Sequence, residues 1–322
     1  MLIPLHLRDL NLDPQLHPRG QAHLSAASGL VRVPGLLRAR LYVVADDEHH
    51  LGSWTEGTAA PVQLHRLFEG DLPRDKGERK KTKPDLESLV FLPAFAGNPF
   101  GALLALGSGS TPRRCLAVCL SLDGKGDVME RSCQIDLKPL YAELGRPVPG
   151  QPRSLLGALN IEGCFINEGL FHFLQRGNAG GSPNAVVSFE QVALLSWLLG
   201  NTPEVPKRLS VQVLDLGQVV GLPLTLTDGA ALTGTGWAGC WAFSAVAENT
   251  DNTYADGACV GSAVGVIGPD GTVKQLHHLQ GAPKVEGIAA RQVGQQLTLD
   301  MVTDADEPLQ ASQLLRVSFA LT

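Results

Sequence analysis

Aromatic side chains are scarce in this 322-residue chain, 5% of it, and Tyr and Met occur only three times each. Basic charge is also in deficit: the formal net charge is −6, which argues against a general nucleic-acid binder. The six cysteines (Cys115, Cys119, Cys133, Cys164, Cys240, Cys259) lack CxxC spacing and mostly sit in apolar runs. That excludes a zinc or disulfide framework and leaves buried, reduced thiols. No apolar stretch reaches the ~20 residues of a membrane span. The start, Met1-Leu2-Ile3-Pro4, has no basic opening, apolar core or cleavage site, so a cytoplasmic protein with no membrane partner is expected. Nothing in the chain reads as a long helix, a coiled coil or a low-complexity tail.

What is abundant is turn and strand material: 36 Gly, 21 Pro and 44% hydrophobic residues, enough for a core. Five times a short acidic or hydroxyl-bearing step precedes an apolar strand: Ser28-Gly29-Leu30, Glu87-Ser88-Leu89, Glu162-Gly163-Cys164, Asp228-Gly229-Ala230 and Glu286-Gly287-Ile288. The steps are 59, 75, 66 and 58 residues apart, and 64 remain to close the circle. Units of this size that cannot bury their own faces predict blades of a propeller. A second apolar run follows in each unit (41–45, 102–106, 170–174, 240–243, 297–302) and ends in a turn: Asp46-Asp47-Glu48, Ser108-Gly109-Ser110, Arg176-Gly177-Asn178, Glu248-Asn249-Thr250-Asp251 and Thr303-Asp304-Ala305-Asp306. Third runs are clearest at 115–120, 185–189 and 314–319, and alternating fourth strands at 62–67, 211–214 and 273–276. The expected fold is all-β: a single domain over 1–322, a five-bladed propeller with four strands per blade. The last unit is one strand short, and Leu5 to Leu10 alternates with no partner of its own. We expect that strand to complete the last blade and remove its open edge.

Two motifs point elsewhere. Gly239-Cys240-Trp241-Ala242-Phe243-Ser244 looks like the segment around the nucleophile of papain-type proteases. It lacks the upstream Gln, Gly234 standing near that place. The partner His would be expected ~130–150 residues further on, beyond Thr322, and His277 and His278 are too near. Cys240 is therefore read as a core residue. The overlapping Gly234-Thr235-Gly236-Trp237-Ala238-Gly239 satisfies GxGxxG, with Asp256 at the distance of a ribose-binding acid, but its surroundings have no βαβ character, so it is read as a glycine-rich turn.

First strands of propeller blades line the central channel, so Ser28, Glu87, Glu162, Asp228 and Glu286 should form a ring. Four carboxylates so close need raised pKa values or a cation among them. A hard divalent ion with oxygen ligands answers this, and Ca²⁺ tolerates irregular geometry better than Mg²⁺. The alternative is that these acids cap strands or accept backbone N–H bonds. The series resembles that of the calcium-activated nucleotidases, or soluble apyrases, five-bladed propellers whose blades supply Ser, Glu, Glu, Ser and Glu around a central Ca²⁺. Ser28, Glu87, Glu162 and Glu286 match, Lys284-Val285-Glu286-Gly287-Ile288 is similar to the last motif, and Asp228 departs from the fourth Ser. The repeat style also resembles phytase-like and gluconolactonase-like propellers, which centre on Ca²⁺ as well.

The carboxylate ring and the turns after the second strands share one mouth. The loop from Arg74 to Lys83 opens there too, and with Arg113, Arg114 and Arg176 it gives a basic rim for an anionic small molecule. The expected function is a metal-dependent hydrolase of a phosphoester, phosphoanhydride or lactone. Ser28, Glu87, Glu162, Asp228 and Glu286 hold the metal, Arg176 clamps the anion, and Asp46 or Asp304 is the general base. The alternative is a non-catalytic ligand- or protein-binding propeller with a structural cation. A monomer is expected.

Overall fold

The computed structural model describes residues 1–322 apart from 96, 149, 151–152, 179 and 250–256, and apart from the side chains of 130 and 131. Strand β1 (Leu5–Asp9) precedes the first blade, which is built from β2 (Ala27–Val33), β3 (Arg40–Ala45), β4 (His50–Thr55) and β5 (Gln63–Arg66). Blade 2 is β6 (Leu86–Leu92), β7 (Ala102–Gly107), β8 (Leu116–Leu122) and β9 (Val128–Asp136). Blade 3 is β10 (Ile161–Asn167), β11 (Leu170–Gln175), β12 (Asn184–Glu190) and β13 (Ser210–Leu214). After a small hairpin, β14 (Gln218–Val219) and β15 (Leu222–Pro223), blade 4 follows as β16 (Thr225–Ala231), β17 (Trp241–Glu248), β18 (Cys259–Ile267) and β19 (Val273–His278). Blade 5 has β20 (Val285–Val293), β21 (Gln296–Thr303) and β22 (Gln313–Ala320). Its fourth strand is β1, antiparallel to β22 with Leu5 opposite Arg316 and Asp9 opposite Gln313. The chain is thus a five-bladed propeller closed by its N-terminal strand, as the repeat predicts.

Each blade is hydrophobic on both faces because each packs between two others. The apolar residues accordingly divide into five clusters, one per blade interface. Second strands, covered on both faces, are nearly continuous runs such as Leu41-Tyr42-Val43-Val44, all buried. Outer strands such as β5 and β13 are half-exposed and alternate.

Helices are short and sit in connections. The basic stretch from Arg74 to Lys83 is not an open loop. Residues Lys76–Thr82 form α1, whose first turn is capped by the Asp75 carboxylate accepting the Glu78 N–H. Helix α2 (Lys138–Leu144) buries Tyr141 beneath blade 2, and α3 (Gln191–Leu198) packs on blade 3. Among the described residues no helix is long and apolar enough to cross a membrane.

The two misleading motifs resolve as structure. Cys240 is buried in the cluster between blades 4 and 5, and its carbonyl accepts from Asn167 Nδ2. The GxGxxG run is the turn between β16 and β17, with a strand following it where a dinucleotide fold needs a helix. Asp256, and Thr250 and Asp251 of the fourth acidic turn, lie outside the described residues.

Candidate site at the mouth of the central channel

Every first strand carries a β-bulge near its start. In blade 2, Leu86 pairs with Gly107 and Ser88 with Leu106, so Glu87 has no partner in the ladder. The same skip leaves out Glu162 in blade 3, Thr227 in blade 4 and Glu286 in blade 5. In blade 1 it leaves out Ser28 with Gly29. A bulged residue is released from pairing and its side chain is re-aimed, so five equivalent bulges present five side chains at the axis: Ser28, Glu87, Glu162, Thr227 and Glu286.

Asp228 is a correction to the sequence reading. It stands one place beyond the bulge, and both its carboxylate oxygens accept backbone N–H bonds at 2.8 Å, from Gly229 and from Ile288 of the next blade. The Asp228-Gly229 pair imitates the Glu-Gly step one residue out of register. Thr227 holds the ring place, and its hydroxyl lies 2.8 Å from Ser244 Oγ and donates to the Val285 carbonyl.

The position after the bulge explains the recurring glycine. A Cβ on Gly287 would collide with the Ser28 carbonyl oxygen, and one on Gly29 with the Leu89 amide nitrogen. First strands of neighbouring blades therefore touch backbone to backbone at this level. Asp228 occupies the equivalent place in blade 4 and meets the Ile288 N–H with a carboxylate instead.

Around the ring lies a charged network to which five blades contribute. Arg176, at the end of β11, reaches inward. Its Nη1 is 3.4 Å from both Glu162 Oε2 and Glu286 Oε1, and its Nη2 is 2.6 Å from Glu248 Oε2. Lys284 spans Glu248 (3.2 Å), Glu286 (3.6 Å), Asp304 (3.3 Å) and Asp306 (2.7 Å). Lys83 pairs with Asp46 and, at 3.0 Å, with Asp85. Arg114 holds the other Asp85 oxygen at 2.7 Å, and Ser108 Oγ donates to the same oxygen. Asp46, Asp85 and Glu87 bring one oxygen each to within 4.8 Å of one another. Asp85 adopts a left-handed backbone (φ 58°), an uncommon conformation for a non-glycine residue and one that clusters at functional sites.

Among the described residues the network holds eight carboxylates (Asp46, Asp85, Glu87, Glu162, Glu248, Glu286, Asp304, Asp306) against four cations (Lys83, Arg114, Arg176, Lys284). The surplus shows in the titration. Burial pushes Glu162 up to about 8, against the pull of Arg176, and Glu286 to about 7. Burial and the nearby Glu162 carboxylate raise Glu87 well above the ordinary range. Glu286 Oε2 is buried without a hydrogen-bond partner among the described residues. Asp304, buried beside Lys284, is raised to about 8.

Asp46 and Asp304 line one small cavity together with Lys76, Arg79, Lys80 and Lys83, beneath α1. Arg79 and Lys83 turn inward, Arg79 onto Asp47 at 3.2 Å, so the expected basic rim is largely committed to internal pairs. Arg113 remains exposed. Sequence reading missed Asp85 and Lys284 as members of the site, and placed Glu248 at the mouth only as part of a turn. A signal was available for two of them, since Asp85 and Lys284 each stand two places before a ring glutamate, where Asn160 stands in blade 3 and donates to Glu162 Oε1 at 2.5 Å.

Similar solved structures are distant. A glycoside hydrolase family 43 arabinoxylan arabinofuranohydrolase from Bacillus subtilis, in complex with cellotetraose, aligns over 93% of this chain at 11% identity and a TM-score of 0.48; this chain covers 64% of that protein's length. A thermostable family-43 glycoside hydrolase aligns over 93% of this chain and 91% of its own at 12% identity and a TM-score of 0.39. A subtype N10 neuraminidase-like protein of A/little yellow-shouldered bat/Guatemala aligns over 99% and 98% at 10% identity and a TM-score of 0.36. Likenesses at this level say nothing of activity or substrate. No curated protein matches the chain in sequence. The profile of the family described as Family of unknown function (DUF6929) matches residues 23–319, and the chain belongs to that family.

Proposed function

We propose that the protein is a hydrolase of anionic esters, anhydrides or lactones, working at the channel mouth, with a hard divalent cation, Ca²⁺ first, held in the ring. The supporting observation is the surplus, among the described residues, of buried carboxylates over fixed cations, with Glu286 Oε2 left without a hydrogen-bond partner there. Oxygen-only donors suit such an ion. Ser28, Glu87, Glu162 and Glu286 would hold it, whereas the hydroxyl of Thr227 is already donated to the Val285 carbonyl. When bound, the cation would polarise a substrate oxygen or acidify a water.

The chain's own residues divide the remaining work. Asp304, raised to about 8 chiefly by burial, keeps its proton at neutral pH and can give it to a leaving group. Asp46, paired with Lys83 on the same cavity, is placed to accept one. Two carboxyl groups on one cavity, one of them with a raised pKa, can divide the roles of general acid and base. Arg176, paired with three carboxylates, fixes the ring glutamates and is not free to clamp substrate. That task falls to Lys76, which faces the same cavity and has no ion pair among the described residues.

The test is turnover on a panel of phosphoesters, phosphoanhydrides and lactones, with metal analysis of the purified protein. Asp304→Asn should cut turnover by roughly 10²-fold or more with the fold intact, and chelation should abolish it. Full activity in chelator, or in Asp304→Asn, would overturn the assignment. Bound cation with no turnover on any substrate would favour a ligand-binding propeller stapled by its metal.

A further inference from the structure

The face opposite the channel mouth carries the reverse imbalance. At the junction of blades 5 and 1, a concavity is lined by Arg32 of β2, Arg38 of the β2–β3 turn, Arg291 of β20 and Glu56 just after β4. Glu56 is 2.9 Å from Arg32, 3.4 Å from Arg291 and 3.6 Å from Arg316 of β22. Arg316 is also held by Asp300 through two bonds, at 2.5 and 3.0 Å. Arg38 has no hydrogen bond or ion pair among the described residues. Its Nη1 lies 4.0 Å from where a Cβ on Gly57 would stand, so its guanidinium lies over the residue next to Glu56. Four guanidinium groups thus share two carboxylates, an excess of two positive charges in a chain whose net charge is −6.

Gathering like charges is unfavourable unless something answers them. Here rigid elements do the gathering: Arg32, Arg291 and Arg316 stand on strands of two blades, and Glu56 crosses between them. A guanidinium presents a planar fork of donors that matches phosphate oxygens, and phosphate monoesters carry a charge near −2 at neutral pH. The number of open charges and the donor geometry both suit that group.

We propose that Arg32, Arg38 and Arg291 form a binding site for a phosphate dianion at the junction of the last and first blades, remote from the channel mouth. The phosphate belongs either to a soluble phosphorylated molecule or to a lipid headgroup. Leu36 and Leu37, 78% and 98% exposed at the tip of the same turn, are placed to enter a membrane surface in the second case.

Two assays on the full chain decide the matter. In the first, inorganic phosphate is titrated calorimetrically at constant ionic strength, with chloride as the control. Saturable binding is expected, together with a rise in melting temperature, since a ligand bridging blades 5 and 1 binds only the closed ring. Arg38→Gln and Arg291→Gln should each weaken it by about tenfold or more, the loss of one charge-assisted contact. Arg38 has no partner to lose, so its variant keeps the fold. In the second assay, phosphatidylcholine vesicles with and without phosphatidic acid are sedimented with the protein. Retention on phosphatidic acid that disappears in Arg38→Gln and in Leu37→Ser assigns a lipid headgroup; phosphate binding without retention assigns a soluble ligand. Phosphate indistinguishable from chloride together with no retention overturns the site. So does undiminished binding in both arginine variants, which would put the anion elsewhere.

Discussion

At the ring, a single residue of register separates an inward-facing acid from scaffold. Asp228 and Glu286 look alike in sequence, both acids before a glycine, yet one accepts two backbone N–H bonds and the other has an oxygen with no hydrogen-bond partner among the described residues. Their substitutions should therefore differ in kind. Asp228→Asn sets an amide N–H₂ against a backbone N–H and should destabilise the fold by about 1–3 kcal/mol, while leaving any Ca²⁺-induced rise in melting temperature as it was. Glu286→Gln should do the reverse, costing little in metal-free protein and shrinking that rise. Equal shrinkage in both variants would return Asp228 to the ring. Sequence could not settle this, because the bulge that picks out one residue depends on hydrogen-bond pairing across to β17. Ser28, Glu87, Glu162 and Glu286 were legible because in their blades the chemistry-bearing residue and the bulge coincide. Glu248 was placed at the mouth with its turn but not singled out, since nothing local tells an acid at a strand end from an ordinary turn.

Strands were more legible than the segments between them. A two-residue alternation and turn residues mark β5, β13 and β19, and the closing role of β1 followed from counting strands. Helix α1 was hidden by its charge: Lys76–Thr82 has no apolar stripe and owes its place to the Asp75 cap and to Arg79 and Lys83 folding inward onto Asp47 and Asp46. The first strands carry a further demand. Because a Cβ at Gly287 would strike backbone, with no flexible side chain to give way, Gly287→Ala should push β20 from β2. The expected loss is roughly 1–3 kcal/mol or more, read as a fall in melting temperature, whereas alanine at Gly145, which has a right-handed backbone and only ordinary contacts around an added Cβ, should cost far less. Comparable losses at both sites would mean that the blades do not meet at the ring.

Across the whole molecule, the buried carboxylates set how stability follows pH. Asp47, Glu162, Glu286 and Asp304, raised mainly by burial to about 6, 8, 7 and 8, hold protons in the folded protein that the unfolded chain releases near its ordinary values of ~4. The folded state then binds more protons across that window, so stability falls as pH climbs from ~4 to ~8 and levels off above it. Glu48 acts with opposite sign. Burial opposes it, but His17, His50 and Arg19 draw it down to about 2, so its contribution is present above ~4 and lost as pH falls toward 2. In chelator, melting temperature should therefore decline between about pH 5 and pH 8, and Glu162→Gln should flatten the decline. A melting temperature that rises over this interval would show that the four fixed cations already balance the ring.

The pairing of Leu5 with Arg316 also governs when the fold can complete. On the ribosome β1 waits, exposed, until β22 some three hundred residues later has emerged, and contacts so distant in sequence make for slow closure. Until then β22 is an open edge able to recruit a strand from another nascent copy. For this protein the hazardous interval is the one between synthesis and closure, and chaperones that shield sheet edges have their use there.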